Sequence, residues 1–154
     1  MNVDTSQFRR AHARLDERTA ELRDAAERFP ALELDERTAS LDLILGYLRG
    51  CVEPHTRLDE MLLFPAVAEQ LGDPLIAASM NYDHLAIRDW IDDLAHADPR
   101  RTAQVQQLLY GLDALIRVHV WKENALFIET LEAPSWPRAA AGSPASVRNP
   151  QGRQ

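Results

Sequence analysis

The sequence predicts an all-α protein, an up-down-up-down antiparallel four-helix bundle, and three observations carry that prediction. Apolar residues recur every three or four positions in four separate segments, no segment alternates as a strand would, and the strong breakers, Pro54 apart, lie between segments. Each such helix buries its stripe only against its neighbours, and short connections favour antiparallel ones.

The first segment starts at Asp4, Thr5 or Ser6, each a capping residue type, and carries Phe8, Leu15, Leu22 and Phe29 before Pro30 stops it. The second begins near Asp35 with Leu41, Ile44, Leu45, Leu48 and Val52, and continues past an expected kink at Pro54 through Leu58, Leu62 and Leu63 to Pro65. The third follows Asp73-Pro74, with Pro74 suited to the first helical position, and shows Met80, Ile87, Ile91 and Leu94. The fourth starts at Asp98-Pro99 and runs through Val105, Leu108, Leu109, Leu112, Leu115, Ile116, Leu126 and Leu131 toward Pro134. Beyond Ala133 the composition turns to Pro, Ser, Ala, Gly, Arg and Gln, which predicts one domain over residues 1–133 and a disordered tail over 134–154.

A chain of 154 residues is the size of one domain with one core. Its single cysteine, Cys51, permits no internal disulfide and fits a reducing cytoplasm; it reads as a core or near-core residue, and Trp90 and Trp121 read as packing residues. The polar N-terminus lacks the apolar stretch of a signal peptide, and no window is apolar enough for a membrane span. Asp and Glu outnumber Lys and Arg 24 to 17, a net charge of -7, which argues against a nucleic-acid partner. No nucleophile triad, phosphate-binding glycine loop or cysteine-rich zinc pattern occurs.

The informative feature is where the histidines fall. His12 lies between Phe8 and Leu15, His55 follows Leu48 and Val52, His84 lies between Met80 and Ile87, and His119 follows Leu112 and Ile116, all at helical spacing. One inward histidine is usually a satisfied core residue. Four, one per helix, each require a partner in the interior, and a metal ion satisfies them together. Asp59 stands four residues after His55, and Glu123 four after His119, so each pair shares a helical face. A buried carboxylate without a counter-charge is strongly disfavoured, and a cation reverses that. Glu60 is an alternative to Asp59, since its longer side chain reaches further.

The chain also matches itself. Aligning His12 with His84 pairs Leu15 with Ile87, Glu17 with Asp89, Glu21 with Asp93 and Leu22 with Leu94; aligning His55 with His119 pairs Leu45 with Leu109, Leu48 with Leu112 and Val52 with Ile116. A helix pair used twice places two equivalent half-sites near one axis, the arrangement of a dinuclear centre bridged by carboxylates.

These residues resemble the hemerythrin-like, HHE cation-binding family over roughly residues 8 to 131. The family pattern has a His on the first helix, His-x-x-x-Glu-Glu leading to Leu-Phe-Pro on the second, a His on the third and His-x-x-x-Glu on the fourth. Here the second element reads His55-Thr-Arg-Leu-Asp59-Glu60-Met-Leu-Leu63-Phe64-Pro65, and the fourth His119-Val-Trp-Lys-Glu123-Asn124-Ala-Leu-Phe127. The resemblance implies a non-haem di-iron centre held by His12, His55, His84, His119, Glu123 and either Asp59 or Glu60, with bridging carboxylates. Two departures bear on function: Asp replaces Glu at position 59, and the further third-helix histidine of the oxygen carriers is absent, Met80 and Arg88 standing one turn from His84.

Three functions follow as expectations. The first is a cytoplasmic iron protein that binds or senses O2, NO, peroxide or iron itself, with zinc or manganese also compatible with the donor set. The second is a metal-dependent oxidoreductase that decomposes peroxide or oxidises ferrous iron. The third is a non-catalytic interaction module with structural histidines. A second copy of the chain is a candidate partner.

Overall fold

In a computed structural model of the chain, the described residues are 3–133; they are helical and contain no strand, and the tail expected over 134–154 lies outside them. Four helical rods form where the stripes predict them. The first is Thr5–Arg28, capped by Asp4, whose carboxylate accepts from the Ser6 N–H at 3.0 Å, and it closes in a 3-10 turn, Phe29–Ala31, built on Pro30. The second is continuous through five segments: Leu34–Tyr47, Leu48–Val52, Glu53–Leu58, Asp59–Leu63 and Phe64–Leu71. Glu33 and Glu36 form a capping box at its start. The third rod is Ala78–Ala95, and the fourth runs from Thr102–Lys122 through Glu123–Ile128 to Glu129–Glu132.

Three expectations about boundaries are corrected. Pro65 does not end the second rod; it lies within it, just after the wide Asp59–Leu63 turn, and the stop is Gly72 in the left-handed region at φ 70°. Pro74 lies in a turn ahead of the third rod, which begins at Ala78. Asp98-Pro99 likewise forms a turn, and the fourth rod begins at Thr102.

The segments Leu48–Val52, Asp59–Leu63 and Glu123–Ile128 are π-helical. Their backbone bonds span five residues, from the Glu53 N–H to the Leu48 carbonyl, the Phe64 N–H to the Asp59 carbonyl and the Glu129 N–H to the Asn124 carbonyl. Two of these wide turns end two residues ahead of a proline, Pro54 and Pro65, whose missing N–H and bulky ring disfavour a regular α turn there. The interruption expected at Pro54 is thus a π turn.

A π turn adds a residue before the stripe returns to the core. After Glu123, α spacing points to Leu126, yet Leu126 is 53% exposed and Phe127 and Ile128 are buried instead. After Asp59 the buried pair is likewise Leu63 and Phe64. Leu58, expected in the stripe, lies one residue off the face of His55 and Asp59 and is largely outward. Trp121 and Cys51, expected to be packed, are exposed.

The apolar core has two parts. The larger gathers Leu15, Leu22, Phe29, Leu48, Val52, Ile87, Ile91, Leu94, Leu109, Leu112 and Ile116; the smaller gathers Phe8, Leu63, Phe64, Val67, Met80, Phe127 and Ile128. On every rod the inward histidine falls between residues of the two clusters, so a polar layer divides the core.

Gly111 on the fourth rod faces the Trp90 ring of the third so closely that an added Cβ would fall inside the ring. Gly111→Ala is therefore expected to destabilise the fold by about 1–2 kcal/mol through overpacking, although Ala alone is the better helix former by about 1 kcal/mol. Thermal unfolding checks this: an unchanged or higher midpoint would mean that the ring swings aside freely.

Candidate metal centre

The polar layer brings together one side chain from the first rod, two from the second, one from the third and two from the fourth. His12, Asp59, His84, His119 and Glu123 are at most 1% exposed and His55 is 8% exposed. Donor atoms of His12, His55, Asp59 and Glu123 lie within 4.8 Å of one another, and so do those of Asp59, His84, His119 and Glu123. The two groups share both carboxylates.

The separations are those of donors facing a common point. His12 Nε2 is 3.1 Å and His55 Nε2 3.8 Å from Glu123 Oε2, while His119 Nε2 is 3.3 Å from Glu123 Oε1. Asp59 Oδ2 stands 3.4 Å from His55 Nε2 and 3.9 Å from His84 Nε2. His84 Nε2 and His119 Nε2 are only 2.9 Å apart. Two donors bound about 2.1 Å from one ion at right angles stand about 3.0 Å apart.

The outer ring nitrogens assign the tautomers. His84 Nδ1 lies 2.8 Å from Glu60 Oε1, and His119 Nδ1 lies 3.4 Å from Asp83 Oδ2; carboxylates only accept, so both protons belong on Nδ1. The two Nε2 atoms then point bare lone pairs at each other, which is repulsive unless a cation lies before them. His12 Nδ1 has its own acceptor, Asn124 Oδ1, at 2.8 Å.

The carboxylates lead to the same conclusion. Both oxygens of Asp59 and of Glu123 are buried without a hydrogen-bond partner, as are Nε2 of His12 and His55. Asp113, another buried carboxylate, provides an internal contrast: Arg117 donates to it at 2.6 Å and Arg23 at 2.9 Å. No Lys or Arg pairs with Asp59 or Glu123 among the described residues. Burial and the nearby charges of Glu123 and Glu60 push the Asp59 carboxyl up to about 9. Burial also acts to raise Glu123, but His119, His12 and His55 outweigh it and hold the carboxyl well below the usual range. Burial and the neighbouring His119 lower His84 to about 4. Metal-free, the layer is thus a set of donors short of positive charge, which suits a cation.

All seven residues singled out in the sequence lie in or beside this layer, but Glu60 differs from the rest. It is about one-third exposed, binds the Nδ1–H of His84 and accepts from Arg88 at 3.0 Å, so it orients an imidazole from outside the donor groups. The sequence reading missed its counterpart. Asn124 follows Glu123 as Glu60 follows Asp59, and it holds His12 as Glu60 holds His84. The internal repeat contained that signal, because Glu60 and Asn124 occupy matching positions 64 residues apart. The π turns explain how adjacent residues both reach inward: the wider turn narrows the angle between successive side chains. Asp83, which also accepts from Lys122 at 2.7 Å, had no sequence signal.

Comparison with curated proteins and with solved structures gave no match. The family model described as the hemerythrin HHE cation binding domain matches residues 3–131. With four helical rods and two His/carboxylate groups positioned for a cation, the chain belongs to the hemerythrin HHE cation-binding family.

Proposed function

We propose that the chain holds a pair of non-haem iron ions, one between His12 and His55 and the other between His84 and His119, with Asp59 and Glu123 as the shared carboxylates, and uses them to bind or sense O2, NO or peroxide. The observation that carries this reading is the sharing itself: two separate pairs of buried imidazoles meet the same two unpartnered carboxylates. Two positions use all four imidazoles, whereas one position in either group leaves two of them outside it. Imidazole with carboxylate ligation suits iron and also accepts zinc or manganese. An iron pair, when bound, supplies reversible one-electron steps and positions open to a small ligand.

The residues have separable roles. Glu60, Asn124 and Asp83 hold the imidazoles with their Nε2 lone pairs inward. Phe64 lies face to face with His84 at 5.1 Å and shields it from water. The antiparallel up-down order also belongs to this reading, supported by pairs such as Arg9 with Glu132 and Arg23 with Asp113, which run in opposite chain directions.

Protein from iron-supplemented culture should carry about two irons per chain by mass spectrometry, as a two-ion site requires. Its visible spectrum should change on exposure to O2, NO or peroxide, and the effective ligand selects among them. Zinc alone, or a folded protein without metal, would overturn the reading.

A further inference from the structure

The outer face of the fourth rod differs from the rest of the surface. The chain has 24 acidic and 17 basic residues, yet Asp113 is the one acid between Thr102 and Lys122, and it is buried against Arg23 and Arg117. The side chains exposed along that face are Ala103, Gln107, Tyr110, Ala114, Val118 and Trp121. Tyr110, Val118 and Trp121 are 39, 50 and 65% exposed. The neighbouring third rod, by contrast, turns Asp89, Asp92 and Asp93 to solvent. Two copies of an acidic protein repel each other over most of their surface, and a stripe without charge is where that repulsion is least.

We infer that this stripe joins two copies of the chain, packed antiparallel about a two-fold axis through Ala114. Nothing in the inference depends on what fills the polar layer.

The stripe is self-complementary. Tyr110 and Val118 stand four residues to either side of Ala114, and Gln107 and Trp121 stand seven to either side. A two-fold axis through Ala114 therefore sets Tyr110 of each copy against Val118 of the other, and Gln107 against Trp121. The small side chain at the crossing point lets the two rods approach to about 8 Å. Charge matches at the ends as well. Arg100 and Arg101, exposed, stand 14 and 13 residues before Ala114, and Glu129, also exposed, stands 15 after it. Antiparallel packing brings the basic end of each rod to the acidic end of the other, twice over, and the opposed helix dipoles favour the same sense. Trp121, expected from the sequence to be packed, is covered only in the pair.

A contact made through one rod of each copy falls at the low end of specific interfaces, below about 1,200 Å² in all, so a dissociation constant in the micromolar range is expected. Sedimentation equilibrium of the full chain between about 1 and about 300 μM should show the mass rising from one chain to two. Ala114→Glu alters an exposed position, so circular dichroism should show full helix content, but it sets two carboxylates together on the axis and should weaken the dimer at least about tenfold. Arg101→Glu and Glu129→Arg should each weaken it about two- to fivefold, and the double variant, which re-forms the pair in reverse, should recover the original affinity. A one-chain mass at every concentration, which would leave the stripe to a different occupant, would overturn the inference. So would growth past two copies, a dimer indifferent to Ala114→Glu, or a double variant no tighter than the single ones. Iron bound per chain is read separately, so none of these outcomes bears on the proposed ion pair.

Discussion

Glu123→Gln is expected to remove both metal ions from the protein rather than one. Glu123 presents one oxygen 3.1 Å from His12 and 3.8 Å from His55, and the other 3.3 Å from His119, so it serves both groups. Glutamine keeps the volume but loses the negative charge and one of the two acceptor oxygens. His12→Ala, by contrast, should empty only the half that His12 serves. Mass spectrometry after purification from iron-supplemented medium distinguishes the two, with metal falling to trace in the first variant and to about one ion in the second. Circular dichroism should show full helix content in Glu123→Gln, because removing a buried charge that lacks a guanidinium or ammonium partner costs the metal-free fold little. Retention of one ion by Glu123→Gln would refute the shared role.

Chelation is expected to lower the unfolding midpoint by about 10 °C. A ligand present at a thousand times its dissociation constant adds about 4 kcal/mol, and a domain of this size shifts by roughly 3 °C per kcal/mol. The metal-free protein should also acquire a pH dependence with a sign set by the layer. Asp59, raised to about 9, keeps a proton that the unfolded chain releases near 4, so stability falls as pH rises toward 9. His84, lowered to about 4, refuses a proton that the unfolded chain takes up near 6.5. Between about 4 and 6.5 these two groups offset each other, and His55, lowered mainly by burial, tips the balance toward lower stability in acid. Above about 6.5 only Asp59 acts, so an alkaline loss on the order of 2–3 kcal/mol should develop toward pH 9. Denaturant midpoints recorded across this range with and without metal check it. A metal-free protein as stable at pH 9 as at 6.5 would contradict the protonated state of Asp59.

The architecture was legible because the apolar period is strong and each rod carries one inward histidine, so His12, His55, His84 and His119 could be placed before any coordinates. Asp59 and Glu123 followed from the four-residue spacing. What resisted reading was the backbone between them. Nothing in the stripe around Glu123 announces a π turn, and ordinary α spacing put Leu126 inside and gave Phe127 no neighbour at Ile128. The same turn places Asp59 among the grouped donor atoms and Glu60 behind His84. Asn124 was recoverable only by extending the internal alignment one residue beyond the carboxylates. Asp83 and the Arg23–Asp113–Arg117 cluster depend on contacts between rods that periodicity does not encode.

The division of the apolar interior by the polar layer has a consequence for how the molecule opens. The cluster of Phe8, Leu63, Phe64, Val67, Met80, Phe127 and Ile128 sits at the end of the bundle where the second and fourth rods have just passed through their wide turns. Its link to the larger cluster runs through the polar layer, where buried imidazole and carboxylate atoms lack hydrogen-bond partners when no cation is present. In the metal-free protein the smaller cluster is therefore expected to open locally at lower cost than global unfolding, which amide hydrogen exchange would read. A bound ion pair would fuse the two clusters into one, making occupancy of the layer a switch for the breathing of one end of the protein.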